Sequence, residues 1–267
     1  MTKTSIPQLE KYWDAISDKY NQIINIKIDD FHYGPIIPGD SVLNLLPQQL
    51  ENKKCLEFGS GAAQNAIFLA QQGAKSYASD ISKTQLLYAK KIIDKLDINV
   101  NLIHSPMESL TKAKLGQFDL IHSSYAISFS PDPAKVISNM AEMLVEGGTL
   151  LISTGHPLFS GEWLDIEGGE MGLFVKDYFN PIPDSRYDDN GKEIVSSNLY
   201  PISTMCDWFL DAGLFIEKIS EPKPLSIKDI KKSDRNKEIP YSSNGWCELY
   251  EQFNHAPGII IFKCRRF

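Results

Sequence analysis

The sequence has little cysteine and no long apolar run, and both absences narrow the possible classes of protein. Its four cysteines, among 267 residues, are scattered and form no C-x-x-C pair, which argues against a disulfide framework or a zinc site. No apolar stretch approaches the ~18 residues of a membrane span, and no signal-type segment follows Met1. We therefore expect a soluble cytoplasmic protein with reduced thiols and no membrane partner.

Positive charge is also in short supply. The 27 basic side chains stand against 34 acidic ones, for a formal net charge of −7. Nucleic acids are bound through basic patches, so this balance predicts no nucleic-acid partner. No carboxylate pair, Ser/His/Asp set or metal-ligand cluster occurs at a usable spacing, and we expect no metal ion. The oligomeric state cannot be read from the sequence.

A strand, a glycine turn, a helix and a second strand are predicted between Lys54 and Asp80. The first strand stops at Gly59-Ser60-Gly61, where the glycines let the backbone turn tightly beside a ligand. The second strand ends on Asp80, 21 residues after Gly59, where a carboxylate can accept hydrogen bonds from two ribose hydroxyls. A nucleoside ligand is therefore expected over this turn.

The turn lacks the third glycine of a dinucleotide-binding G-x-G-x-x-G, and it carries an acid, Glu57, inside the first strand. A carboxylate repels a pyrophosphate but is acceptable beside a cationic sulfonium. The stretch resembles the first motif of class I S-adenosylmethionine-dependent methyltransferases, E/D-x-G-x-G-x-G, with Ala63 in place of the last glycine. The resemblance implies S-adenosylmethionine as the cofactor, bound by Glu57, Gly59, Ser60, Gly61, Asp80 and Ile81.

Two later turns extend the resemblance, one of them with a departure. The predicted fourth strand ends on Ser123 and Ser124, and by resemblance both are expected to contact the cofactor. The third strand is followed by Pro106, where the family often carries an acid that meets the adenine. Met107 is then expected to cover the adenine face, and Glu108 to supply the missing hydrogen-bond acceptor.

The order of strands and helices predicts an α/β fold. We expect a Rossmann-like, mostly parallel seven-stranded sheet with an antiparallel last strand and helices on both faces. Residues 1–50 are expected to be mostly helical and to form an N-terminal lid, in which Tyr20 and Tyr33 contact the ligand and His32 is a weaker candidate. Residues 51–267 are expected to form the methyltransferase core, with the aromatic-rich insertion 155–202 as a substrate cap.

His156 follows the predicted fifth strand and begins the insertion. It is the candidate catalytic base for an acceptor that must lose a proton, and a turn histidine that bonds the backbone is the alternative. The sequence favours methyl transfer from S-adenosylmethionine to a small, partly apolar acceptor by in-line displacement. A nicotinamide-dependent oxidoreductase and a non-catalytic S-adenosylmethionine-binding protein remain as alternatives, and the acceptor itself cannot be identified.

Overall fold

The computed structural model describes residues 4–168, 170–226, 231, 234 and 239–267. Residues 1–3 of the expected lid and residue 169 of the expected cap lie outside this range. The helices of the described residues are α1 (Ile6–Ile23), α2 (Asp40–Leu43), α3 (Gln64–Gln71), α4 (Lys83–Leu96), α5 (Lys112–Leu115), α6 (Pro133–Met143), α7 (Ile202–Asp211), α8 (Asn244–Glu248) and α9 (Tyr250–His255).

Strands alternate with these helices along the middle of the chain. They are β1 (Asn25–Ile26), β2 (Lys54–Phe58), β3 (Lys75–Asp80), β4 (Val100–His104), β5 (Phe118–Ser124), β6 (Leu144–Gly155), β7 (Glu162–Ile166), β8 (Glu170–Phe174), β9 (Asp184–Tyr187), β10 (Glu193–Ser197), β11 (Leu214–Ser220), β12 (Tyr241–Ser242) and β13 (Ile259–Arg266). Short 3₁₀ helices lie at Met107–Ser109, Ile127–Phe129 and Pro157–Ser160.

Seven of these strands form one sheet in the order β11-β13-β6-β5-β2-β3-β4. The pairs β2–β3, β2–β5, β3–β4 and β5–β6 are parallel, whereas β13 runs antiparallel to both β6 and β11. Helices α6 and α7 pack against the sheet through buried side chains such as Val136, Met140 and Phe209. The predicted fold class, with its antiparallel last strand, is confirmed.

The order of the strands determines where a ligand crevice forms. The chain passes from β2 to β3 and β4 on one side, and then crosses to β5 and β6 on the other side of β2. In open α/β sheets ligands bind outside the carboxyl ends of the strands, at the point where the strand order reverses. That point follows Phe58, at the predicted glycine turn.

Helix caps support two of the elements around the crevice. The Ser82 hydroxyl accepts a hydrogen bond from the Gln85 amide at 3.1 Å, and the Asp132 carboxylate accepts one from the Lys135 amide at 3.2 Å. The Gln85 side chain does not complete a capping box, because its Oε1 accepts a hydrogen bond from Asn21 at 3.0 Å. This bond ties α4 to α1.

The N-terminal region is less helical than expected. Only α1 and the single turn α2 are helical within described residues 4–50. The Asp40 carboxylate accepts hydrogen bonds from the amides of Leu45 and Leu46, at 2.7 and 3.0 Å, and this ends α2 after one turn. The loop between β1 and α2 buries Phe31 and Ile37 in the core. Packed loop therefore forms much of a region expected to be mostly helical.

The insertion contains two hairpins, β7–β8 and β9–β10. The second hairpin turns at residues 188–192, with the Gly191 amide donating to the Asp188 carbonyl at 2.9 Å. Glycine with positive φ, +75° here, is typical of such turns. The function of the insertion as a substrate cap stays a prediction.

Candidate active site

A cavity lies at the carboxyl ends of the parallel strands, in the crevice described above. It is lined by the turns that follow β2, β3, β4 and β5 and by residues of α1 and β12. The lining residues that the sequence analysis names are Tyr20, His32, Glu57, Gly59, Ser60, Gly61, Asp80, Ile81, Met107, Glu108 and Ser124. The structure brings most of the candidate residues to one cavity.

The turn after β2 has backbone conformations that favour glycine. Gly59 and Gly61 have φ values of +67° and +54°. A Cβ at Gly59 would lie 2.6 Å from Cβ of Ala126 and 3.3 Å from Cε of Met107, so a side chain would fill this part of the cavity. Ala63, in place of the third glycine, also has a left-handed backbone, with φ of 59°. Such a residue costs about 1–2 kcal/mol, and the turn keeps its shape despite the missing glycine.

Asp80 is held rigidly beside this turn. Its Oδ2 accepts a hydrogen bond from the Gly61 amide and its Oδ1 accepts one from the Ser82 amide, both at 2.7 Å. The residue is buried, and burial raises the pKa of its carboxyl to about 6 although both hydrogen bonds act in the opposite direction. Each oxygen has acceptor capacity left for another donor, as binding of two ribose hydroxyls would require.

Glu57 lines the same cavity from inside β2. Its Oε2 accepts a hydrogen bond from the Ala66 amide at 3.0 Å, in the first turn of α3. Its Oε1 lies 3.9 Å from Nδ1 of His122 on the neighbouring strand β5. Glu57 is only 3% exposed, and burial raises the pKa of its carboxyl to about 8. The acid orders the backbone of the turn and remains beside the cavity.

Met107 and Glu108 reach the cavity from the 3₁₀ helix after β4. One carboxylate oxygen of Glu108 accepts a hydrogen bond from the Ser130 hydroxyl at 2.7 Å. The carboxylate can therefore accept a further hydrogen bond at its other oxygen. Their contacts to an adenine stay predictions, and their position is the one that such contacts require.

Aromatic side chains from distant parts of the chain line the cavity as well. Tyr20 on α1 shares a hydrogen bond with Tyr241 on β12, with 2.6 Å between the two hydroxyl oxygens. Trp13, on the same face of α1 as Tyr20, packs edge-on against Phe129 with the ring centroids 5.2 Å apart. Leu9 of the same helix also lines the cavity. The lid function of α1 stays a prediction.

His32 has a fixed backbone at the cavity wall. Its amide donates to Oδ1 of Asn65 at 2.9 Å, and its carbonyl accepts from Nδ2 of Asn65 at the same distance. The Ser124 hydroxyl donates to the same carbonyl at 3.0 Å. The imidazole is 6% exposed, packs edge-on against Tyr241 and has its pKa lowered to about 3 by burial. It is therefore neutral at physiological pH.

Tyr125 is a lining residue that sequence reasoning missed. It follows β5 directly, and its φ is +58°, in the left-handed region that aromatic residues rarely adopt. Its ring packs edge-on against Trp246, with centroids 5.7 Å apart. Unusual backbone conformations concentrate at functional sites. No pattern in the sequence marks this conformation.

Further lining residues also escaped sequence analysis. They are Ile26, Ala62, Gln64, Gln85, Ser105, Ala126, Phe129, Ser130 and Tyr241. Ala62, Ser105 and Ala126 could have been found from their place just after a predicted strand. Tyr241 follows a polar stretch with no strand signal, and it reaches the cavity because β12 pairs with β1.

Tyr33 and Ser123 do not line the cavity, contrary to expectation. Tyr33 is 1% exposed in the core beside Phe31, and its hydroxyl donates to Asp40 at 2.6 Å. Ser123 is fully buried, and its hydroxyl donates to the Phe58 carbonyl at 2.9 Å. Successive strand residues point to opposite faces, so Ser124 reaches the cavity and Ser123 does not.

His156 is also placed outside the cavity lining. Its Nε2 lies 2.8 Å from a carboxylate oxygen of Glu221, and its Nδ1 accepts a hydrogen bond from the Leu158 amide at 3.2 Å. Burial lowers the pKa of the imidazole, while Glu221 acts in the opposite direction. Both ring nitrogens are occupied by protein partners. The catalytic assignment stays a prediction, and this geometry favours the alternative of a turn histidine.

The described residues contain no cluster of histidine, cysteine and acidic side chains suited to a metal ion. None of the helices in the described ranges has the length and apolar character needed to cross a membrane.

Residues 32–219 match a family model described as a methyltransferase domain, and the chain belongs to that family. A ubiquinone biosynthesis O-methyltransferase of Coxiella burnetii is 30% identical over 148 residues, which cover 55% of this chain and 60% of that protein. The chain spans 50% to 60% of the length of the first curated relatives that it matches.

Solved structures share the fold. An S-adenosylmethionine-dependent methyltransferase of Mesorhizobium loti has a TM-score of 0.66 at 20% identity, over 85% of this chain and 96% of that one. Magnesium protoporphyrin IX methyltransferase of Synechocystis PCC 6803, solved with bound S-adenosylmethionine, has a TM-score of 0.58 at 13% identity, over 98% and 97%.

The family match confirms the resemblance drawn from the glycine turn. S-adenosylmethionine is named as the cofactor of the similar solved structures from Mesorhizobium loti and Synechocystis. The oxidoreductase alternative receives no support from the family match. At these identities the solved structures show the fold alone, so the reaction and the acceptor are matters of proposal.

Proposed function

We propose that the protein transfers a methyl group from S-adenosylmethionine to a small, partly apolar acceptor by in-line displacement. One observation carries this proposal. A single cavity is lined at one end by the glycine turn and by Asp80, the buried acid that is expected to bind a ribose. Aromatic side chains from α1, β12 and the turn after β5 line it as well. Such a cavity suits a nucleoside at one end and an apolar molecule at the other.

The residues at the glycine turn fit the cofactor. Gly59 has no Cβ, so a ligand can approach the backbone of the turn there. The carboxylate of Asp80 can still accept hydrogen bonds from hydroxyl groups of a ligand. Met107 and Glu108 line the same cavity, which supports their proposed contacts with the adenine base. When bound, the cofactor supplies a methyl group on a positively charged sulfur. The net negative charge of the lining carboxyls suits that charge.

The aromatic residues form the acceptor end. Trp13, Tyr20, Phe129 and Tyr241 present apolar ring surface with two hydroxyl groups. They would exclude water and align a planar or partly apolar acceptor with the methyl group. Alignment of the reacting atoms accounts for much of the rate enhancement in a displacement of this kind.

The need for a base depends on the acceptor. His156 is separated from the cavity lining by its own contacts to Glu221 and Leu158. We expect His156→Ala to lower turnover less than about threefold, whereas a general base would contribute roughly 10²–10⁴-fold. A loss in the larger range, with a changed pH profile and intact cofactor affinity, would restore His156 as the base.

Calorimetry with S-adenosylhomocysteine and with NAD tests the ligand class, and we expect binding of the first alone. Transfer of labelled methyl from S-adenosylmethionine to a panel of phenols, amines and carboxylic acids tests the acceptor class. Tight and strongly salt-dependent binding to tRNA or duplex DNA would contradict a small-molecule acceptor. Cofactor binding without turnover of any acceptor would favour the non-catalytic alternative.

A further inference from the structure

The cavity offers a ligand negative charge and no fixed positive charge. Its described lining residues include the carboxyls of Glu57, Asp80 and Glu108 and contain no lysine or arginine. The imidazole that lines it, His32, is neutral because burial lowers its pKa. A bound cation therefore contacts only acidic and neutral lining groups, and the nearest cation among the described residues whose charge acts on the lining is Arg186, behind Tyr20, Tyr125 and Tyr241.

Glu57 is the most deeply buried of these carboxyls and has no cationic partner among the described residues. From β5 it faces His122, whose Nδ1 is 3.9 Å from Oε1 of Glu57. Neither ring nitrogen of His122 has a hydrogen-bond partner within the described part of the chain, and burial lowers its pKa to about 3. Glu57 also faces the acid Asp80 on β3, and it accepts a hydrogen bond from the Ala66 amide of α3 at 3.0 Å.

A buried carboxylate without a counter-charge is costly, so such a group holds its proton instead. Hydrogen bonds from the Ala66 amide and the Asn65 side chain oppose this effect for Glu57, and the neighbouring Asp80 reinforces it. The carboxyl of Glu57, with a pKa raised to about 8, is protonated near neutral pH in the protein alone. A cation placed in the cavity would stabilise the charged form and lower that pKa again.

We propose that Glu57 makes the cavity select the charged cofactor over its neutral product, by releasing a proton when the sulfonium binds. The inference rests on the proposed function. On binding, the O–H bond of Glu57 breaks, the proton passes to solvent and the carboxylate stays opposite the positive sulfur. Methyl transfer turns that sulfur into a neutral thioether. Glu57 then faces no cation and takes back a proton from solvent, which weakens the hold on the product.

The sign of the pH dependence follows from this linkage. Below about pH 8 the protein alone carries the proton on Glu57, and the complex with the cofactor does not. Cofactor affinity therefore rises with pH, by up to about tenfold per pH unit, until the pH passes the pKa of Glu57 in the protein alone. Binding of S-adenosylhomocysteine, which has no sulfonium, lacks this contribution.

Titration calorimetry tests the proposal on the unchanged protein. S-adenosylmethionine and S-adenosylhomocysteine are each titrated in two buffers of different protonation enthalpy, and the difference in heat counts the protons released. We expect close to one more proton released with S-adenosylmethionine at neutral pH. Equal proton counts for the two ligands would overturn the proposal. Failure of both ligands to bind would instead overturn the proposed function, and the inference with it.

The variant Glu57→Gln isolates the residue. Glutamine keeps an oxygen that can accept from the Ala66 amide but has no proton to release. The amino group of the cofactor titrates both in the wild type and in the variant. The difference in proton count between these two proteins therefore reports Glu57 alone. We expect the variant to lose the extra proton and to lower the preference for S-adenosylmethionine over S-adenosylhomocysteine about tenfold. A preference unchanged from the wild type would overturn the proposal.

A matched control removes a carboxyl from the surface. Glu142 on α6 is exposed and lies outside the cavity lining, so Glu142→Gln makes the same exchange of side chains away from the site. We expect the control to keep both the proton count and the preference between the two ligands. A loss as large as that of Glu57→Gln would assign the effect to overall charge and overturn the role of Glu57.

Discussion

Among the individual residues, Asp80 is buried but still presents its carboxylate to the cavity. Its carboxylate is positioned by the Gly61 and Ser82 amides, and ligand hydroxyls would find it already oriented. Charge-assisted hydrogen bonds contribute about 1.5–3 kcal/mol each. We expect Asp80→Ala to lower S-adenosylhomocysteine affinity at least about tenfold in calorimetry.

The exposed acid Asp94 on α4 provides the control for this variant. Asp94→Ala removes a surface ion pair with Lys90, and such pairs contribute little. Its ligand affinity should equal that of the wild type. If Asp80→Ala keeps its circular dichroism spectrum and also binds normally, Asp80 does not hold the ribose.

Gly59 differs from other glycines with positive φ in what surrounds it. A Cβ at Gly59 would lie 2.6 Å from Cβ of Ala126, whereas one at Gly116, with φ of +80°, would meet nothing within 4 Å. Both alanine substitutions place a side chain at a positive φ, and Gly116, with ψ of −145°, lies in a region that is essentially restricted to glycine, so its backbone strain is at least as large. We expect only Gly59→Ala to lower S-adenosylhomocysteine affinity, by about tenfold or more.

The double variant Gly59→Ala/Ala126→Gly separates crowding from backbone strain. Removing the Cβ of Ala126 makes room for the new methyl group. Partial recovery of affinity in calorimetry is expected. If Gly116→Ala weakens binding equally, the effect arises from general destabilisation and the turn has no special role in binding.

Among the structural elements, α1 is joined to α4 by several hydrogen bonds, and Asp14 accepts two of them. Asp14 accepts hydrogen bonds from the Ser82 hydroxyl at 2.7 Å and from the Thr84 amide at 3.0 Å, both at the start of α4. Partial burial raises the pKa of Asp14, but these hydrogen bonds outweigh it and the net shift is downward. The contact therefore stabilises the fold above the ordinary pKa of an aspartate and weakens as pH falls through it.

We expect Asp14→Ala to accelerate amide hydrogen exchange in α1 while the core strands keep their protection. Tyr20 and Trp13 lie on the same helix, so cofactor affinity should fall by a few fold at most. Asp18→Ala, which removes an exposed bond to Tyr88, serves as the control. Equal exchange rates in the two variants would show that Asp14 does not anchor the helix.

At the scale of the whole molecule, buried acids link stability to pH. The pKa of Glu57 is raised from 4.5 to about 8, so the folded protein binds more protons than the unfolded chain between these values. This contribution to the free energy of unfolding is present below about pH 4.5 and is lost as pH rises to about 8. Asp80, with its pKa raised to about 6, acts in the same direction.

Thermal unfolding of Glu57→Gln at several pH values measures this linkage without ligand. The amide does not ionise, so the melting temperature of the variant relative to wild type should rise from about pH 5 to about pH 8 and then level off. We expect a relative gain of at least ~2 °C across that range. A difference that is constant with pH would mean that Glu57 is ionised in the fold throughout.

Local sequence determined the central unit of the fold. β2, the turn, α3 and β3 lie within residues 54–80, and their glycines, apolar stripe and terminal acid are contiguous. Neighbouring residues set such patterns because turn conformation and hydrophobic periodicity act over a few positions. The order of the predicted strands and helices likewise indicated the antiparallel last strand.

Only the tertiary structure decided which side chains complete the cavity. Tyr20 and Tyr241 meet because β12 pairs with β1, and the backbone of His32 is clamped by Asn65. Tyrosine and histidine are residue types that can contact a ligand. Hydrogen bonds to Asp40 and Glu221 nevertheless hold Tyr33 and His156 outside the cavity lining. Side-chain direction depends on partners far along the chain, and no local pattern encodes those contacts.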